Sequence, residues 1–218
     1  MASTFLEMPD MSKYDIKNAY GIALYYAHCD FYAIRGLIET TKVSIKTMQE
    51  KYKMDIIMAD DFGDLYTSSK AASSQMIYSC RVIPMAYTSI LLMMVTSLEE
   101  AFNCLCRSYW LKNKYSVEYT DLHGQGIERA ITYLEKVVGI KGIKQDSNWD
   151  FVKTVRDARN VIVHSDGRIK NEEKSKYQKY DFYIRDEDNK LLFDYDKLIE
   201  IYNVILEFID TIFTKDIS

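Results

Sequence analysis

The chain has 218 residues, 48% hydrophobic and 28% charged, which is enough for a real core under an ordinary soluble surface, in one domain or one domain with an elaboration. Its formal net charge of -4 excludes a bulk basic surface for nucleic acid, so any such binding must be local. Only 2 prolines and 8 glycines leave few break points, which predicts long helices, and amphipathic seams between them can absorb the 18 tyrosines.

Residues 1–11 read as a loose tail. The N-terminus lacks a basic region followed by an apolar run, so no secretory signal is expected. The longest apolar run, Ile90 to Val95, is far short of the ~20 residues that span a bilayer. The expectation is a cytoplasmic protein without membrane contact. Ser12 is placed to cap a long helix with apolar residues at helical spacing, ending near Lys53. The polar stretch from Ala59 to Ser74 reads as a connection, and Gln75 to Ile83 is ambiguous between strand and helix. Pro84 suits the first turn of a helix that runs to Asn113. That helix is apolar on most of its circumference from Ile90 to Leu98 and should be the central buried one.

Tyr119 to Gly126 forms a turn, with Thr120 or Asp121 near its entry, and Ile127 to Val138 a short amphipathic helix stopped by Gly139. After a loop, Ser147 or Asn148 can cap a helix that begins near Trp149, itself a core anchor. Beyond Gly167 comes a lysine-rich segment expected to be solvated. Residues 181–194 then alternate about the polar turn Asp186 to Asn189, which predicts a small β-hairpin. Asp194 or Asp196 caps a last helix. The expected fold is mainly all-α with that single hairpin. Residues 1–83 supply a long N-terminal helix and connector packed on a helical domain of residues 84–218, as one structural unit.

The helix from Trp149 carries the informative stretch, "RDARNVIVHSDG", Arg156 to Gly167. At about 100° per residue, Phe151, Val155, Ala158 and Ile162 share the core face. Lys153, Asp157, Asn160 and His164 share the opposite, polar one. Asn160 lies four residues before His164, within reach to orient the imidazole. Arg159 lies roughly 140° around the axis from His164. Gly167 is a natural left-handed stop. Lys153 to Lys179 holds eight Lys or Arg against four Asp or Glu, so this is the one strongly positive region of an acidic chain. Arg156, Lys153, Arg168 and Lys170 are the candidate anion contacts within it. His28 and His123 have no partner pattern and read as structural or surface residues. Cys29, Cys80, Cys104 and Cys106 do not space as a disulfide framework, and Cys-x-Cys on a helix points two ways. Buried reduced thiols are the expectation, with no metal site and no cofactor.

"RNVIVH", Arg159 to His164, resembles the R-N-x-x-x-H form of the HEPN superfamily, whose motif is an Arg followed four to six residues later by a His. The resemblance covers about Pro84 to Phe213. It includes the order of an apolar helix with an acidic residue ("TSLEEAFNCL", Thr96 to Leu105), then the motif helix, then a closing helix. The long N-terminal helix looks like an elaboration. Where HEPN toxins paired with a nucleotidyltransferase often carry a Tyr two residues after the His, this chain has Asp166.

The resemblance implies a HEPN-like helical bundle and a metal-independent endoribonuclease that leaves 2′,3′-cyclic phosphate and 5′-OH ends. It implies bacterial phage defence, abortive infection or a toxin–antitoxin pair as the setting, with an antitoxin or regulatory RNA or protein as a further partner. RNA brings its own nucleophile, the 2′-OH. His164 can move a proton near neutral pH, Arg159 can hold the phosphate, and Asn160 can fix the imidazole or the scissile phosphate. Glu99 is a candidate carboxylate to position Arg159. One motif His per chain is half of an acid–base pair, so a homodimer with a composite site is expected. A non-catalytic HEPN module that binds RNA, a nucleotide or a partner protein is the alternative, and a plain helical scaffold the blandest reading.

Overall fold

Asn18 starts the longest element: its side chain accepts from the Tyr20 amide at 3.2 Å and opens α1, Ala19–Asp61. Ser12 lies instead in a short 3-10 turn, Met11–Lys13, capped by Asp10. The structure, a computed structural model, describes residues 8–215. The expected tail therefore lies outside the described residues over 1–7, as do the last three residues of the expected 84–218 unit. Along α1, Ala23, Ala27, Phe31, Ile34, Ile38 and Ile45 recur every three, four or seven positions and are buried. The helix does not stop near Lys53, because its apolar spacing continues through Ile56 to the buried Ala59.

The stretch expected as a connection, Ala59 to Ser74, is mostly helix. Only Phe62, Gly63 and Asp64 turn the chain, and the Asp64 carboxylate caps α2, Leu65–Ile77, by accepting from the Thr67 amide at 3.0 Å. The serines that suggested a loop satisfy themselves inside the helix: Ser73 and Ser74 donate to the carbonyls of Ser69 and Lys70, each at 2.9 Å. The ambiguous stretch that follows is helical too. A π turn, Tyr78–Val82, leads into α3, Ile83–Asn113, where Pro84 sits in the first turn. The wider turn accommodates a proline that has no N–H to donate. Residues 65–113 thus form one continuous helical stretch, and the expected boundary at residues 83–84 falls inside it. By length and composition alone this stretch could cross a membrane, though core helices pass the same test.

Helix α3 is the central element. Its inward face runs from Tyr87 through Leu91, Met94, Leu98, Phe102 and Leu105 to Tyr109, all buried. Around it pack α1, then α4, Gly126–Tyr133, α5, Trp149–Ser165, and α7, Tyr195–Phe213. Helix α4 passes through a π turn and stops at Gly139. Asp194 caps α7, accepting from the Lys197 amide at 2.8 Å. Phe208 of α7 stacks on Phe102 and on Trp149, with ring centroids 5.6 and 6.0 Å apart, which ties three helices together. Strands β1, Tyr183–Arg185, and β2, Lys190–Leu192, form the antiparallel hairpin, in register Ile184 to Leu191. The lysine-rich segment before it is not wholly solvated, since it folds into α6, Lys174–Gln178, and buries Tyr177 completely.

Candidate functional site

Helix α5 forms where its apolar stripe demands it. Phe151, Val152, Val155 and Ala158 are buried, Ile162 is partly buried, and Lys153 and His164 face outward. At its start the Asn148 amide bonds to the Asp146 carboxylate at 3.0 Å, and Asn148 takes the cap position. At its end both Asp166, with φ of 52°, and Gly167, with φ of 78°, are left-handed. The Gly167 amide returns to the Val161 carbonyl at 3.2 Å. An aspartate in that conformation is strained, and it is held there by Lys190 at 2.8 Å and Arg168 at 2.9 Å. The hydrogen bond from Lys190 also holds the Asp166 carboxyl below the ordinary carboxylate range. The helix end is stitched to β2 by the Leu191 amide, which donates to the Gly167 carbonyl at 3.0 Å.

The motif residues diverge on this scaffold. Arg159 is half-buried, and its Nη1 donates to the Asn160 amide oxygen at 3.1 Å. The Asn160 oxygen is thus engaged by Arg159 rather than by His164. His164 is exposed and bonds to no other described side chain. Beside it Val163 is 49% exposed. Arg159 and His164 are separated by five residues, so about 7.5 Å of rise and 140° of rotation keep them apart within one chain.

Glu99 does not meet Arg159. Its carboxylate lies against Gly126 at the first turn of α4, so close that a Cβ there would stand 2.4 Å from Glu99 Oε1. The partial positive charge of the α4 N-terminus gives a carboxylate reason to stay there. Its neighbour Glu100 accepts from the Cys104 thiol at 3.3 Å.

The basic candidates separate into committed and open groups. Arg156 is tied inward, with ion pairs to Glu128 of α4 and to Asp157, both at 2.6 Å, and its side chain is only 16% exposed. Asp157 also receives Lys176 of α6. Burial works against the Asp157 carboxylate, but Lys176 and Arg156 outweigh it and hold its pKa below the ordinary value. Arg156 therefore fastens α5 to α4 rather than presenting charge to a ligand. Lys153 and Lys170 are exposed. Arg168 lines a cleft of about 580 Å³ between the start of α3 and the hairpin. Arg81, Arg185 and Lys190 line it too, with Met85 and Ile162 as apolar floor. Arg81 lies 87 positions before Arg168 and 104 before Arg185, a separation that no local charge count could bridge. Arg185 is held bidentately by Asp188 at 2.9 and 2.7 Å, which leaves Arg81 as a cation with no partner among the described residues.

A second cluster escaped the sequence reading. His28 Nε2 lies 2.6 Å from Asp210 Oδ1, and its Nδ1 is hydrogen-bonded to the Tyr14 hydroxyl. Burial, then the nearby Asp210 charge, pushes the Tyr14 hydroxyl pKa up. His28 is thus a structural tie between the N-terminal segment, α1 and α7. His123 is exposed in its turn and Trp149 is buried, as read from the sequence. Cys106 is buried and donates to the Ala130 carbonyl, Cys29 and Cys104 are partly covered, and Cys80 is exposed, against the expectation of burial. Among the described residues, no three His, Cys, Asp or Glu side chains converge as metal ligands.

No protein-family model, no curated protein and no solved structure matches this chain.

Proposed function

We propose that this chain is a HEPN-type, metal-independent endoribonuclease that works as a homodimer. What supports the reading is the Arg159–Asn160–His164 motif on α5, in the helix order that the HEPN resemblance implies, together with one observation. His164 stands exposed and without a partner among the described residues at the end of α5, turned away from Arg159. A motif with one exposed imidazole and one restrained guanidinium per chain has the parts of a composite site and not the whole of one.

In the proposed reaction one His164 takes the proton of an RNA 2′-OH, and the 2′ oxygen attacks the adjacent phosphorus. The Arg159 guanidinium stabilises the added charge on the phosphorane. The bond to the 5′ oxygen breaks, and the second His164 protonates the leaving alkoxide. The products are a 2′,3′-cyclic phosphate and a 5′-OH. RNA supplies the nucleophile, so the step needs no metal or cofactor. A setting in phage defence, abortive infection or a toxin–antitoxin pair, with an antitoxin or regulatory RNA or protein as partner, follows from the resemblance.

The cleft that holds Arg81 and Arg168 favours a second reading, a HEPN module that binds RNA, a nucleotide or a partner protein without cutting it. End analysis separates the two. Labelled RNA incubated with the protein and chelator should yield cyclic-phosphate ends; retention of intact RNA supports the binding module.

A further inference from the structure

Helices α1 and α2 extend past the bundle as a two-helix arm. Beyond Ile45 the only buried apolar side chain of α1 is Ala59, and α2 buries none. Met54, Ile57, Phe62, Leu65, Met76 and Ile77 are all exposed there, Phe62 at 84% and Leu65 at 79%. Apolar surface of this extent marks an interaction site on a soluble protein. On α2 the exposed residues are spaced by Ser69 and Ser73, small enough to let another helix approach closely.

The charges on the arm identify the partner. Residues 46–53 carry three lysines and one glutamate, a net of +2. Residues 54–64 carry four aspartates and no lysine or arginine, a net of -4. One arm is therefore basic near the body and acidic at its tip. Laid antiparallel on a second arm, each basic half meets the other's acidic tip, and a two-fold axis makes the contact self-complementary. Parallel pairing would bring Asp60, Asp61 and Asp64 of both tips together. An anionic membrane would be repelled by the same aspartates that surround Phe62 and Leu65.

We infer that the arm is a self-association surface that pairs antiparallel with the arm of a second copy of this chain, forming a four-helix bundle. Antiparallel arms place the two bodies at opposite ends, so this contact is separate from the α5 contact of the nuclease reading and does not rest on it.

The test is the solution mass of the full chain by sedimentation equilibrium at micromolar concentration. Ile57→Glu, at an exposed position, should keep the melting temperature and halve the assembly mass. Lys51→Glu with Lys53→Glu should weaken association at least tenfold, and adding Asp60→Lys with Asp61→Lys in the same chain, which relieves the new acid–acid repulsion, should recover part of it. A monomeric wild type, a mass indifferent to all these changes, or flotation of monomer with phosphatidylcholine vesicles would each overturn the inference. Loss of RNA cleavage in His164→Ala is read by rate and leaves this mass unchanged, so the arm contact and the chemistry are read separately.

Discussion

Arg159 Nη1 donates to the Asn160 amide oxygen at 3.1 Å, so adjacent positions of α5 hold one another. The guanidinium keeps its other donors for a ligand. Asn160 thereby becomes a positioning residue for Arg159. Asn160→Ala is expected to lower kcat by roughly tenfold, the worth of about one hydrogen bond, with the melting temperature unchanged. Arg159→Ala should cost more. Equal losses in the two variants, measured by single-turnover RNA cleavage, would mean that Asn160 touches the substrate itself.

Arg156 should matter for stability and not for chemistry. Arg156→Ala leaves Glu128 unpaired and Asp157 with Lys176 alone, and is expected to cost about 1–3 kcal/mol. Lys153→Ala, at an exposed position, should stay within about 0.5 kcal/mol. Urea unfolding of both variants measures the difference.

Acid should loosen the end of α5 and the hairpin together. The carboxyls of Asp157 and Asp166 are held below their ordinary value, and hydrogen bonding to Arg185 pulls Asp188 down to about 2. A depressed folded-state pKa gives stability that is complete above the unfolded value, near pH 4, and is lost as pH falls through the folded value. Urea midpoints should therefore hold between pH 7 and 5 and fall steeply from pH 4 towards 2. Asp157→Asn should remove part of that fall.

The Tyr14–His28–Asp210 chain should pin residues 10–18 to the bundle. Tyr14→Phe or Asp210→Asn should speed amide hydrogen exchange in that segment while α3 and α7 remain protected. Equal exchange in wild type and variants would show that the cap at Asn18 holds the segment without them.

Periodicity made much of this fold legible. The stripe Phe151, Val155, Ala158, Ile162 announced α5 and its orientation, and the pair Asp194 or Asp196 announced the start of α7, of which Asp194 is the cap, because helix faces and caps are local properties. The stretch from Ala59 to Ser74 misled, since serines can serve a loop or bond back within a helix. Ser12 and Asn18 are both competent caps, and the His28 contact that holds Tyr14 against the bundle spans 14 positions. The site was legible only in its local half. The sequence located the Arg159–His164 helix, but it could not register that Glu128 consumes Arg156, that α4 holds Glu99, or that Asp210, 182 positions away, meets His28. Each of these depends on which helices pack side by side.

The central claim is that His164 moves the proton in RNA cleavage. The direct measurement is the cleavage rate of labelled RNA in chelator by wild type and His164→Ala at matched melting temperature. Loss of a general acid–base group should slow cleavage by ~10²–10⁴, and the fold should survive because His164 is exposed. A His164→Ala protein that cuts at the wild-type rate, or activity that appears only with added divalent metal, would contradict it.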